Sequence, residues 1–156
     1  MKGLGHGRRI VTGLDAAGRS TVVLDGPIPQ AGHITGMVWR TLAIPADNSG
    51  AEDHQVESFG LAAMHDGSSN LIVAVHPPGL RAPKHATDTI DYVVVISGEI
   101  VLELETGDVT ARGGDFIVQR GIQHGWRNDG AVDAVMAFVT LPAHPVGAGR
   151  TTGALE

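Results

Sequence analysis

The chain has 156 residues, no cysteine, 22 glycines, 8 prolines and a formal charge of -6. That length suits one domain with a single core, and the lack of cysteine excludes disulfides, thiolate metal sites and cysteine nucleophiles. The acidic balance, with no basic run of five or more residues, excludes a general nucleic-acid surface.

The first ten residues, "MKGLGHGRRI", lack the apolar core of a signal peptide. No apolar run reaches membrane-spanning length, so a soluble cytoplasmic protein with no membrane partner is the expectation. "RRIVTGLDAAGRSTVVLDG" reads as two strands around an Asp-Ala-Ala-Gly turn. "VWRTLAI" reads as a strand ended by Pro45, and residues 45–57 as a polar loop with at most one helical turn. "NLIVAV" is a continuous apolar run closed by "HPPG", the pattern of a buried strand. Further strands, "TIDYVVVI", "IVLELE", "VTAR" and "FIVQR", are separated by glycine-bearing turns; "HGWRN" and "AVMAFVTL" follow. In "IVLELE" the residues Ile100, Leu102 and Leu104 share one face and Val101, Glu103 and Glu105 the other. The tail, about 143–156, has few large apolar residues and is expected to be mobile. Many short strands and no long helix predict an all-β sandwich or barrel.

The candidate chemistry sits in two stretches. If "HATDTIDYVVV" is one extended strand, His85, Thr87, Thr89, Asp91, Val93 and Val95 point to one face. His85 and Asp91 then look into one cavity, joined by His124 from another strand. Two histidines and a carboxylate make a facial triad that leaves metal positions open for substrate or oxygen. Spacing alone is a weak signal, because eight histidines produce such pairs by chance. Trp126 shares the phase of His124 and either lines the pocket or packs in the core; Tyr92, opposite in phase to Asp91, packs outside. His6, His33, His54, His65 and His144 lie in polar or glycine-rich segments and read as solvated, with His76 the exception to watch. No Ser-His-Asp order, nucleotide fingerprint or zinc-protease helix is present.

From Gly79 the chain reads Gly, five residues, His85, Ala86, Thr87, three residues, Asp91, six residues, Gly98. From Gly113 it reads Gly, five residues, Gln119, Arg120, Gly121, two residues, His124, three residues, Asn128. These spacings resemble the paired motifs of the cupin superfamily, specifically its small single-domain members. The resemblance implies one small antiparallel jelly-roll-like barrel over residues 1–156, with N-terminal strands at about 8–45 and the barrel core at about 70–142. It also implies a homodimer, since small cupins commonly pair through their sheets and exchange N-terminal strands, here the hairpin from Arg9 to Asp25.

Three positions depart from the family pattern: Thr87 replaces a histidine, Asp91 a glutamate and Gln119 a proline. A threonine hydroxyl is a poor ligand for a divalent metal. The implied site is therefore one divalent transition metal (Fe, Mn, Ni or Zn) on His85, His124 and Asp91, with Thr87, Gln119 and Trp126 lining the pocket. The leading expectation is a metal-dependent cupin acting on a small organic acid or aromatic metabolite, as oxygenase, decarboxylase, isomerase or lyase. The alternative is a metal-free cupin that binds or senses a small molecule. A carbohydrate-modifying cupin using His85 with Asp91 as base ranks last, because no arginine cluster is present to hold a nucleotide-sugar phosphate.

Overall fold

A computed structural model describes residues 3–50 and 52–151. Among them are eleven strands and one helix of four residues, α1 (Leu61–Met64). The strands are β1 (Gly3–Leu14), β2 (Ser20–Pro29), β3 (Thr35–Thr41), β4 (Ser69–His76), β5 (Arg81–His85), β6 (Thr89–Ser97), β7 (Glu99–Glu103), β8 (Asp108–Arg112), β9 (Phe116–Gln119), β10 (His124–Arg127) and β11 (Ala134–Pro142). The all-β expectation holds. The one helical turn lies after the polar loop at 45–57, not within it. No helix among the described residues is long and apolar enough to cross a membrane.

All strand pairings are antiparallel. A five-stranded sheet runs β3-β4-β11-β6-β9 and a four-stranded sheet β5-β10-β7-β8, with β1-β2 a separate hairpin. The two large sheets share one core. Val93, Val95, Met136 and Phe138 enter it from the five-stranded sheet, and Ile100, Leu102, Ala111 and Trp126 from the four-stranded one. Period-2 alternation explains this directly: on β6, Thr89, Asp91, Val93 and Val95 are buried while Tyr92 and Ile96 are exposed. This is the jelly-roll arrangement of a small barrel.

The hairpin turns where the sequence placed it. Gly18 donates its backbone N–H to the Asp15 carbonyl, and Asp15 Oδ1 accepts from Ala17 N–H, an Asx-type turn. The arm is tied to the barrel by Ile28, which packs on Val73 and Val135 outside the five-stranded sheet. Arg9 adds an ion pair with Asp53 at 2.5 Å.

The expected single strand from His85 to Val95 does not exist. The chain ends β5 at His85, crosses through 86–88, and enters β6 of the opposite sheet at Thr89. The crossing runs directly beneath Gly121. A Cβ there would lie 2.2 Å from the Thr87 carbonyl oxygen and 2.9 Å from that of Thr89, at a backbone φ of +70°. Only glycine allows the approach. Gly98 serves the barrel's other end, where a Cβ would lie 2.4 Å from the Asp133 carbonyl oxygen at φ +76°.

The tail is held as far as it is described. Thr151 donates its N–H to the Ala86 carbonyl at 2.9 Å and its Oγ1 accepts from Ala86 N–H at 2.7 Å. Residues 152–156 lie outside the described residues.

Replacing Gly121 with alanine should destabilise the fold by about 2–4 kcal/mol, because left-handed strain adds to a backbone clash. Gly18, with φ +75° but open space around it, should cost only about 1–2 kcal/mol on the same change. Urea unfolding of the two variants checks this, and equal losses would contradict the close-approach explanation.

Candidate functional site

The barrel interior is apolar along most of its length and polar at one end. The polar end begins with a transverse row across the five-stranded sheet. Arg40 lies opposite Asn70, Asn70 opposite Thr140, Thr140 opposite Asp91, and Asp91 opposite Gln119. Cross-strand partners share a face, and Asn70, Thr140, Asp91 and Gln119 are all buried. Asn70 Nδ2 donates to Thr140 Oγ1 at 3.2 Å. Arg40, at the row's end, donates from Nε to Ser68 Oγ and pairs with Asp66.

Gln119 carries the row to the other sheet. Its amide nitrogen lies 2.6 Å from His124 Nδ1. His124 in turn is the register partner of His85, and their ring centroids are 4.5 Å apart. The sequence expectation that His85 and His124 converge is met. Each ring is held the same way: Nδ1 of His85 meets the Pro83 carbonyl at 2.9 Å, and Nδ1 of His124 meets the Ile122 carbonyl at 2.8 Å. A carbonyl accepts only, so the proton sits on Nδ1 and the lone pair on Nε2. With the proton there, the Gln119 amide is better placed with its oxygen toward Nδ1, an exchange of O and N that leaves the contact intact.

His124 is 2% exposed, and burial lowers its pKa to about 4, with the carbonyl hydrogen bond to Ile122 partly opposing. It is neutral at physiological pH. Trp126 stands edge-on to His124 with ring centroids 5.9 Å apart and edge-on to Phe138 at the same separation. It is thus a core residue that also forms one wall of the histidine site.

Asp91 is buried at the other side of this space. Burial raises its pKa to about 6, with a hydrogen bond from Thr89 partly opposing, and its Oδ1 has no partner. Thr87 is also buried, and its Oγ1 lies in hydrogen-bond contact with Thr89 Oγ1 at 2.8 Å. Among the described residues no three His, Cys, Asp or Glu side chains converge as a metal site. Asp91, the third member of the expected set, is not brought to the histidine pair. His85 ends β5 of the four-stranded sheet, whereas Asp91 lies on β6 of the five-stranded one.

The histidine pair itself suits a cation: two imidazoles with lone pairs set on Nε2 by backbone carbonyls, with burial favouring the neutral form of His124. Two nitrogen donors form a weaker seat than the three-ligand set and leave more positions open.

His65, read as solvated, belongs to this end of the barrel. It follows α1, accepts the Asp88 backbone N–H on Nε2 at 3.1 Å, and is lowered in pKa by burial and then by Arg150. No local pattern marked it, since its partner is 23 positions away. His76 is buried, with its pKa lowered to about 4 by burial. Asn128 is fully buried and acts structurally: its Nδ2 donates to the carbonyls of His76 and Val132, and its Oδ1 accepts from Gly130 N–H.

The pKa shifts predict a pH-dependent stability. A carboxyl raised from 3.8 to about 6 contributes stability below pH 3.8 that is lost as pH rises through 6. Asp91→Asn should match the parent near pH 4 and exceed it by about 1–3 kcal/mol above pH 7. His124 has the opposite sign, its contribution being lost as pH falls from 6.5 to about 4. Denaturant unfolding of Asp91→Asn and the parent across pH 4–8 measures the difference; a constant offset would contradict a buried titrating Asp91.

Comparison with known proteins adds the family. The model of the Cupin domain matches residues 71–140, which include Asp91, Gln119 and Thr140 of the polar row and both histidines. The chain is 35% identical over 153 residues to "Phomopsin biosynthesis cluster protein C'" of Diaporthe leptostromiformis, covering 88% of this chain and 79% of that one. It is 29% identical over 158 residues to "Cupin-domain-containing oxidoreductase fogC" of Aspergillus ruber, covering 94% and 77%. Among solved structures, a conserved Klebsiella pneumoniae protein with a double-stranded beta-helix domain aligns over 53% of this chain and 72% of that one, at 26% identity and a TM-score of 0.46. The chain belongs to the cupin family.

Proposed function

We propose that this cupin binds a small organic acid or aromatic metabolite at the polar end of its barrel and acts on it as an oxidoreductase. One divalent metal would be held by Nε2 of His85 and His124. The carrying observation is the pair of facing imidazoles, each with Nδ1 committed to a backbone carbonyl. The redox class draws support from relatives named cupin-domain-containing oxidoreductases. Such a metal supplies Lewis-acid or redox chemistry to the bound molecule.

The chain's own residues do the rest. Gln119 fixes the orientation of His124 from the second sheet, and the Trp126 edge limits its rotation. Asp91, near half-ionised at mildly acidic pH, is a proton acceptor or donor facing the same interior. The apolar core beyond, from Val93 to Ile100, keeps bulk water out.

A metal-free cupin that binds or senses a small molecule is the second reading. It is favoured by the missing third ligand and by Thr87, whose hydroxyl is turned to Thr89. Calorimetric titration with Mn2+, Fe2+, Ni2+ and Zn2+, with elemental analysis of the purified chain, separates the two. Under the leading reading, one equivalent binds, His85→Ala or His124→Ala removes most of it, and Thr87→Ala leaves it. Loss with Thr87→Ala as complete as with His124→Ala would overturn the ligand assignment, and absence of any binding would favour the second reading.

We also propose a homodimer. Phe116 (78% exposed), Val118 (60%) and Tyr92 (47%) leave an apolar face open on edge strand β9 and its neighbour β6, and open edges invite pairing. Light scattering should give twice the 16.2 kDa chain mass; the single-chain value would refute it.

A further inference from the structure

The two sheets part between β7 and β9, leaving a cleft of about 270 Å³. Its walls are apolar: Leu102 and Leu104 from β7 and its end, Ile117 from β9, Ile122 from the following turn, and Val146 from the tail. Two polar residues interrupt them. Gln119 is 3% exposed, and one end of its amide has no partner. The same side chain touches His124 Nδ1, so the inner end of the cleft meets the histidine site. Arg120, next along the chain, lines the outer part and is exposed.

Arg120 differs from every other arginine in the chain. The other eight each lie within 4.0 Å of a carboxylate. Arg120 has no such partner among the described residues. A cation without an acid, set at the rim of an apolar wall, is matched by a carboxylate whose apolar body lies along that wall. The unpartnered amide of Gln119 is matched at the other end by a hydroxyl. In either amide orientation a hydroxyl can satisfy it, since it both donates and accepts.

We infer that this cleft is the binding site for a hydroxyaryl or similar hydroxylated monocarboxylate. Its carboxylate pairs with Arg120, its apolar body lies between β7 and β9, and its hydroxyl meets Gln119 beside His124. The inference rests on the proposal that the polar end of the barrel is the working site, and it fixes which way the ligand enters. The volume suits a single-ring acid and excludes large polycyclic ligands without movement of Val146.

The test is calorimetric binding of 4-hydroxyphenylacetate to the full chain, with and without EDTA, beside the uncharged 4-hydroxyphenylacetamide. The acid should bind at least tenfold more weakly to Arg120→Gln than to the parent, while the amide binds both alike. Val146→Trp, at a position 42% exposed, should fill the cleft and abolish binding of both without unfolding the chain, as circular dichroism would verify. Equal affinity of the acid for parent and Arg120→Gln, unaltered binding in Val146→Trp, or no binding of the acid at millimolar concentration would each overturn the inference. Metal content is measured separately, so failure of the histidine seat leaves this result readable, and the reverse also holds.

Discussion

The passage of residues 86–88 from one sheet to the other, beneath Gly121, organises this molecule. The close approach of the Gly121 Cα to the Thr87 and Thr89 carbonyls locks the turn after β9 against the strand crossing. Because β10 follows that turn at once, His124 is delivered beside His85. Because β6 starts on the far side, Asp91 is delivered to the opposite wall. One backbone constraint therefore sets the histidine pair on one sheet and the carboxylate on the other. A bulkier residue at position 121 would loosen both at once.

The polar end is costly to build and is stabilised from several directions. Burying amides, a carboxyl and the His124 imidazole without partners disfavours folding. The structure offsets part of that with the Asn70–Thr140 bond, the Gln119–His124 contact and the carbonyl anchors of both rings. It leaves Asn70 Oδ1, Asp91 Oδ1 and the outer end of the Gln119 amide without partners. Unsatisfied groups concentrated at one end of an otherwise apolar barrel are where ligand binding gains most. Their placement explains why the interior is polar here and not near Val95, Ile100 and Met136.

Much of this was legible in the sequence, for identifiable reasons. Period-2 alternation gave the buried face of β6 and the core-facing Ile100 and Leu102 of β7, although Val101 on the opposite face of β7 is buried as well, and glycine-bearing turns marked the strand ends. Motif spacing brought His85 and His124 together because β5 and β10 pair in register. The same spacing misled over the path of the chain: an unbroken strand from 85 to 95 was the simplest reading, and nothing local announces a change of sheet at Ala86. Arg40, Asn70 and Thr140 went unnoticed because their row is assembled from strands β3, β4 and β11, far apart in the chain. His65 was missed because its partner is a backbone N–H across the barrel mouth. The tail's grip on Ala86 had no signal either, being a pair of bonds from one threonine.

The central claim is that His85 and His124 form one seat with both lone pairs on Nε2. Long-range proton–nitrogen NMR of the imidazoles tests it most directly. The account requires the Nδ1–H tautomer for both rings at pH 7, and a concerted change of their two Nε2 signals when Zn2+ is added, the other six histidines being unaffected. An Nε2–H tautomer at either ring, or Zn2+-induced changes that bypass this pair, would contradict it.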